Sequence, residues 1–321
     1  MTIDVTIAIP TFHRPIELAR LLAALEPQVS DPASLRRLDI SCRILVIDND
    51  PAGGASATVR ASASPFVEYV AEPSPGLAAV RNRAIDESRA DRLLIFLDDD
   101  ESPDEEWLEA MIGFWNARRP AAILGRVVSV FGVERDPWLV GARAFLRPSH
   151  RTGDRLPAAA TNNLLLDLDV VRARGLYFDP RMGMSGGEDS LFTQQLVRSG
   201  GSLLWCDEAV VFDHIPDERL RRAWVLKRAY RGGTVAVTVD RFLDPGFGSE
   251  ILTRGRHAVG GFGRVLLGAL RVAWGAIRND MRHRARGERG LARGAGMLAG
   301  AFGYTYQEYA KRSNRASSSS R

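Results

Sequence analysis

Short apolar runs alternate with helical patterns over the first hundred residues. Val5–Pro10 is apolar up to its closing proline and reads as a buried strand. Thr11–Arg14 follows as a turn, and Pro15–Leu25 sets Leu18, Leu21, Leu22 and Leu25 at helical spacing. Ile44–Ile47 is a second predicted strand, closed by Asp48-Asn49-Asp50-Pro51, and Phe66–Val70 a third. Gly76–Ala90 is a predicted helix, with Leu77, Val80, Ala84 and Ile85 on its apolar side. Leu93–Leu97 is another buried strand and runs straight into Asp98-Asp99-Asp100. Strands alternating with helices predict an α/β fold, a mainly parallel central sheet flanked by helices on both faces. Ligands of such sheets bind beyond the carboxyl ends of the strands. Two of those ends carry acidic turns, at Asp48 and at Asp98–Asp100.

The second half is less regular. Ala121–Val130 reads as a strand, and 131–161 is rich in Arg, Pro and Gly and is expected to include a long loop. Thr161–Leu166 turns apolar after Thr-Asn-Asn. Asp179–Gly187 is a turn rich in Gly and Met, and Glu188–Ser199 is a predicted helix. Ser202–Cys206 and Val210–Phe212 read as two short strands, and Asp217–Arg231 as a basic amphipathic helix. Ala316–Arg321 is low in complexity and reads as disordered.

Composition narrows the class. The 321 residues are 45% hydrophobic and 26% charged, which fits an ordinary globular protein and excludes disordered, collagen-like and coiled-coil chains. Cys42 and Cys206 lack metal or disulfide spacing, so zinc modules are disfavoured and a reducing cytosol is expected. The first residues lack the pattern of a secretory signal. The net charge of +4 conceals an asymmetry. Residues 1–250 hold 29 Lys and Arg against 36 Asp and Glu, a net of −7; residues 251–321 hold 14 against 3, a net of +11. A basic C-terminal region predicts a polyanionic neighbour.

The acidic turn is the strongest chemical signal. Three adjacent carboxylates repel one another unless a cation or donor groups compensate. Hard divalent ions take one or two carboxylates and complete their shell with phosphates and water. A solvated acidic loop, or a cap for a helix at Glu105–Phe114 with Asp104 at its start, is the other reading. Gly186-Gly187-Glu188-Asp189 opens a helix. Its carboxylates suit either a cap favoured by the helix dipole or a general base. The Pro10-Thr11-Phe12-His13-Arg14 turn offers backbone amides and Thr11 to a nucleotide. Neither GxGxxG follows it nor GxxxxGK[ST] occurs anywhere, which disfavours dinucleotide and P-loop folds. Arg81 and Asn82 sit on the third helical pattern, where Arg is a natural phosphate donor.

Six segments, PTFHR, VIDND, GLAAVRN, FLDDDE, TNN and GGEDSLF, stand in the order and spacing of family 2 glycosyltransferases with the GT-A fold. The resemblance covers about residues 3–235. It is nearest to bacterial exopolysaccharide transferases of the succinoglycan type, helped by Pro137-Trp138 and Ile215-Pro216. It implies an inverting enzyme that moves a sugar, glucose in that group, from a UDP-sugar to a polyprenyl-diphosphate-linked oligosaccharide with Mn²⁺ or Mg²⁺. By the resemblance, Pro10, Thr11, Arg14, Asp48, Arg81, Asp98, Asp99, Asn163 and Gly187 bind the nucleotide sugar. Asp100, helped by Asp98 and His214, holds the metal. Asp189 is the base, with Glu188 orienting donor or acceptor, and Trp138 and Arg228 meet the acceptor. A nucleotidyltransferase would need a Gly-rich, basic loop after the first strand, and only PTFHRP stands there. A catalytically silent, sugar-nucleotide-binding scaffold is the remaining alternative.

The C-terminal region sharpens the partner. Arg264, Arg271 and Arg278 recur every seven residues, with Val265, Leu267, Leu270, Val272, Trp274 and Ile277 between them. Such a helix suits an anionic membrane interface, or alternatively a soluble hairpin with solvated Arg. No run of about 20 apolar residues exists to span a bilayer, and QxxRW is absent, which disfavours pore-forming synthases. Nucleic acid is disfavoured because no recognised module is present. The expected organisation is a catalytic domain at 1–235, a basic helical appendage at 236–310 and a disordered tail at 311–321. The expected location is the cytoplasm, peripherally on the inner face of the plasma membrane.

Overall fold

The computed structural model describes residues 2–182 and 185–304. The predicted tail at 311–321 lies outside them, as do Gly183 and Met184 of the Gly/Met-rich turn. The chain divides into two units. The first comprises residues up to 128, 147–182 and 188–213; the second comprises 129–146, 185–187 and 214–304.

In the first unit, β1 (Ile3–Thr11) leads into α1 (Pro15–Ser30) and α2 (Pro32–Leu38). Next come β2 (Ile40–Asp48), α3 (Ser56–Ser62), β3 (Val67–Ala71) and α4 (Leu77–Glu87). β4 (Leu93–Phe96), β5 (Glu101–Pro103), α5 (Trp107–Arg118) and β6 (Ala122–Phe131) follow. Among the described residues eight strands form one sheet, ordered β3-β2-β1-β4-β7-β6-β8-β5, where β7 is Leu164–Asp167 and β8 is Leu203–Ile215. Strands β3, β2, β1 and β4 run parallel; β7 is antiparallel to β4 and β6, and β5 to β8.

Residue alternation explains how both faces are covered. Val5, Ile7 and Ile9 of β1 join Ile44, Val46, Leu93 and Ile95 in one core, against α1 and the buried Trp107 and Trp115 of α5. Ala8, Leu45, Ile47, Leu94 and Phe96 point to the other face. There they meet Val80 and Ala84 of α4 and Phe192 and Leu196 of the helix Glu188–Arg198. Pro15 starts α1 at a position where a missing N–H costs nothing. Asp31 caps α2 by accepting from Ala33 N and Ser34 N.

The observed elements correct the sequence reading in several places. Within 131–161, expected to include a long loop, the chain also forms α6 (Pro137–Ala142), capped by Asp136. A short helix, α7 (Leu168–Ala173), follows β7, and Glu188–Arg198 is α8. The two short strands expected near 202–212 are one continuous strand, β8, because the polar residues Asp207 and Glu208 are tolerated on its exposed stretch. The basic helix starts later than expected and runs further, as α9 (Arg222–Leu243) after a single 3₁₀ turn at Asp217–Arg219. Residue 235 therefore falls inside a helix.

The second unit is helical. α10 (Phe247–Ile277) and α11 (Met281–Ala301) form an antiparallel pair, and α11 runs parallel to α9. Glycines permit this approach. A Cβ on Gly268 would lie 2.8 Å from the Gly287 carbonyl oxygen, one on Gly294 2.8 Å from that of Gly261, and one on Gly296 would collide with the Tyr230 carbonyl. α6 packs on α11, where Arg286 Nε donates to Gly141 O and Arg289 Nη1 to Ala142 O and Arg143 O. These guanidinium groups satisfy the last carbonyls of α6.

Gly268→Leu is expected to destabilise the protein by about 1–3 kcal/mol through overpacking. Gly263, with open space around it, should gain about 0.5–1 kcal/mol as Gly263→Ala. Thermal melts of the two variants check this; equal shifts would refute glycine-limited packing.

Candidate active site

The carboxyl ends of β1, β2 and β4 lie side by side, since Thr11 pairs with Asp48 and Ala8 with Phe96. Beyond β4 the chain turns through Asp98-Asp99-Asp100 into β5. Thr11 Oγ1 donates to Asp99 Oδ2 at 2.9 Å. Arg14 Nη1 donates to Asp99 Oδ1 at 2.7 Å and to Asp100 Oδ2 at 2.8 Å. One guanidinium thus bridges two buried carboxylates. Burial alone would lower the Arg14 pKa, but Asp99 and Asp100 raise it above the ordinary arginine value. Asp99 is itself raised by desolvation, which Arg14 opposes.

Asp98 makes no side-chain hydrogen bond with a described residue. Desolvation, with Asp100 adding repulsion, pushes it up to about 7 against the opposing pull of Arg81. Glu101 is fully buried; its carboxylate accepts from Asp98 N at 2.9 Å and Asn162 Nδ2 at 3.1 Å. Burial, then Asp98, holds Glu101 well above the usual carboxylate range. Asp213 stands opposite Glu101 in the β5–β8 ladder, is paired with Arg147, and adds to the repulsion on both.

Glu101 and Asp213 were absent from the sequence candidates. The alternation along β8 could have found Asp213, because Ala209, Val211, Asp213 and Ile215 are its buried positions. His214 points from the other side of that strand and is half-buried. Among the described residues no three His, Cys, Asp or Glu side chains gather into a metal cage. The donor set nevertheless suits a hard cation that takes one or two carboxylates and relies on phosphate for the rest. Within the turn, Asp98 is the carboxylate that the described residues compensate least.

The remaining candidates divide. Asp48 is fully buried: Oδ1 accepts from Asp50 N, and Oδ2 from Ala55 N and Tyr69 Oη. It shapes the loop after β2, and Pro10 lies beside Ile47 in the same ladder. Asn163 corrects the sequence reading. Its side chain is fully buried, accepts from Trp107 Nε1 at 2.8 Å, and donates to Arg126 O and Ala209 O. With its amide spent inside the core, it supports the site instead of touching a donor. Its neighbour Asn162 is the residue of that motif that reaches the acidic turn.

Arg81 likewise departs from a free phosphate donor. It forms a buried ion pair with Glu188, and its guanidinium lies 5.7 Å from the Phe178 ring centre. Glu188 is raised by desolvation, opposed by Arg81. Its second oxygen, Oε2, is buried with no partner among the described residues. The pair joins α4 to the first turn of α8. Asp189, next along, is half-buried, and its Oδ1 accepts from Ser190 N at 2.6 Å. Gly187 precedes that helix at φ 95°, a conformation that favours glycine.

Trp138, Gly187, His214 and Arg228 belong to the second unit, the other candidates to the first. Trp138 lines a cleft of about 310 Å³ with Leu139, Leu220, Arg222, Arg284 and Glu288. Glu288 accepts from Trp138 Nε1 at 2.8 Å and pairs with Arg222 at 2.8 Å. Arg228 lies 5.3 Å from the ring centre of Trp224.

Residues 6–170 match the family model described as glycosyl transferase family 2. The chain belongs to that family. It is 32% identical over 237 residues to the succinoglycan biosynthesis protein ExoM of Rhizobium meliloti, covering 72% of this chain and 74% of the relative. It is 27% identical over 252 residues to a pre-mycofactocin glycosyltransferase of Mycobacterium tuberculosis, spanning 75% of this chain and 48% of that longer protein. The solved structure of S. aureus TarS 1-349 with UDP-GlcNAc aligns at a TM-score of 0.51 and 13% identity, over 89% of this chain and 90% of that one. GalNAc-T7 with UDP, GalNAc and Mn²⁺ aligns at 0.54 and 15%, over 79% and 54%. These two likenesses establish the GT-A-like fold of this family 2 chain.

Removing one partner of the buried pair should be costly. Arg81→Met is expected to lose about 3–5 kcal/mol of stability. The Arg81→Met/Glu188→Gln double variant should lose less than the sum of the single variants. Additive losses in chemical denaturation would show that the pair does not act as a unit.

Proposed function

We propose that the protein transfers a sugar, glucose as the first candidate, from UDP-glucose or a related UDP-sugar to a polyprenyl-diphosphate-linked oligosaccharide, with inversion. The observation that carries this reading is the convergence of Thr11, Arg14 and the Asp98–Glu101 carboxylates at the strand ends of a family 2 chain. The UDP-GlcNAc and UDP held by the two fold neighbours support a nucleotide-sugar donor. The succinoglycan relative supports surface-polysaccharide assembly as the setting.

In this reading Thr11, Arg14 and the loop shaped by Asp48 bind the nucleotide. Asp100, with Asp98, would hold a divalent Mn²⁺ or Mg²⁺ ion, and His214 is the candidate third ligand. A bound cation would neutralise charge on the departing diphosphate. Arg14 adds a second cationic group to the same turn. Asp189 takes the proton of the acceptor hydroxyl as that oxygen attacks the anomeric carbon from the face opposite the leaving group. Both are closed-shell steps: the C–O bond to the acceptor forms, the C–O bond to the diphosphate breaks, and the proton goes to Asp189. The Arg81–Glu188 pair fixes the first turn of α8, so Asp189 needs little reorganisation before reaction. Trp138 and Arg228 are assigned to the acceptor side. The protein works at the cytoplasmic face of the membrane, attached peripherally through its basic C-terminal region.

Asp189→Asn should abolish transfer in a nucleotide-sugar panel while leaving UDP affinity nearly intact; wild-type-like turnover removes Asp189 as the base. Asp100→Ala should erase the effect of Mn²⁺ on UDP titration, and an unchanged titration removes the metal role. Chelation should stop transfer by the wild type and restoring Mn²⁺ should revive it.

A further inference from the structure

α10 carries two unlike faces. Gly261, Gly268 and Gly275 face α11, where there is no room for a side chain. On the opposite side Val259, Phe262, Leu266, Leu270, Trp274 and Ile277 recur every three or four residues, and each is more than half exposed. Val259 and Ile277, near the two ends of this row, are 76% and 78% exposed. From Val259 to Ile277 the row runs along about 27 Å of the helix. An apolar stripe of that length exceeds what isolated surface residues explain. Among the described residues no helix is long and apolar enough to cross a membrane.

Charge indicates what covers the stripe. Arg264, Arg271 and Arg278 stand three residues after the three glycines, so they lie between the closed glycine face and the outer apolar row. Arg264 and Arg271 make no ion pair with a described residue, and Arg278 lies 5.2 Å from the Trp274 ring centre. On α11, Arg293 is pushed below the ordinary arginine value by burial, then by Arg264 and Arg289. Among the described residues Arg264, Arg271 and Arg293 pair with no carboxylate, so positive charge accumulates there. A protein partner or second copy would cover the apolar row but would not by itself balance the arginines. An anionic bilayer does both, accepting Leu and Ile side chains below the headgroups and guanidinium groups beside the phosphates.

We propose that the outer face of α10 inserts into the headgroup–acyl boundary of an anionic bilayer, lying along the membrane plane with its arginine flank on the lipid phosphates. This deepens the membrane reading above by assigning attachment to apolar burial on one helix face, with charge selecting the lipid. The glycine contacts with α11 then serve to keep the opposite face closed and the apolar row outward.

The test uses the full-length protein and flotation with phosphatidylcholine vesicles, with or without phosphatidylglycerol. Wild type should float with anionic vesicles and keep a bound fraction in high salt. Leu266→Asp/Leu270→Asp should weaken binding about a hundredfold or more, from the loss of two buried side chains. Replacing Arg264, Arg271 and Arg278 with Gln should remove the preference for phosphatidylglycerol. Quenching of tryptophan fluorescence by brominated lipid should fall in Trp274→Phe. Wild-type-like flotation of the Leu double variant overturns the proposal. So does light scattering that shows a wild-type dimer made monomeric by those two substitutions. UDP titration of each variant keeps the two readings apart: failed UDP binding by wild type sinks the donor assignment, whereas failed flotation sinks only the membrane face.

Discussion

Carboxylate repulsion at the end of a buried strand is the constraint around which the first unit is arranged. Strand β4 is apolar on both faces, and the chain leaving it carries Asp98, Asp99, Asp100 and Glu101 in succession. Asp213 adds a fifth acid through the β5–β8 ladder. Such a group persists in a folded protein only with compensation. Arg14 supplies it to Asp99 and Asp100, Thr11 adds a hydrogen bond, and Asn162 and a backbone amide serve Glu101. Asp98 receives the least. The same imbalance that raises its pKa makes the turn receptive to a cation, so the stability problem and the proposed chemistry share one origin.

The second ion pair has a different task. Arg81 and Glu188 are buried together, where a lone charge would be costly and a matched pair holds two helices in register. Desolvation raises Glu188 while Arg81 counters it, so the pair retains charge by proximity. The pair anchors the helix start that carries Asp189. In the proposed reaction Asp189 acts as the base, a role that a helix start held by this pair would favour. Gly187 immediately before it supplies the positive φ that lets the chain enter the helix.

The second unit uses packing in the reverse sense. Glycines remove side chains where α9, α10 and α11 meet, so backbone approaches backbone closely. Helix–helix contact then consumes little apolar surface, and the large side chains of α10 remain on its outer side. In a monomeric soluble helix such residues would ordinarily turn inward. Their outward placement beside arginines that pair with no carboxylate among the described residues is the physical basis for proposing α10 as an interfacial helix.

Much of the fold was legible because it is recorded locally. Hydrophobic alternation and run length set the strands β1, β2 and β4, and Leu18, Leu21, Leu22 and Leu25 marked α1. The acidic turn and the Gly-Gly-Glu-Asp helix start were visible as residue runs, and the motif order pointed to the family. The pairings were not legible. Thr11 meets Asp99 across 88 positions and Arg81 meets Glu188 across 107, and nothing in the local period encodes either contact. Asn163 looked like a donor contact, yet closure of the sheet places it between Trp107, Arg126 and Ala209. Asp213 fell just beyond the predicted strand Val210–Phe212, yet β8 continues through it and turns it inward. The sequence alone determined which segments become strands and helices and where acid collects, because those depend on neighbouring residues. Only the tertiary structure decided which charges neutralise one another, because that depends on which strand ends the folded sheet brings together.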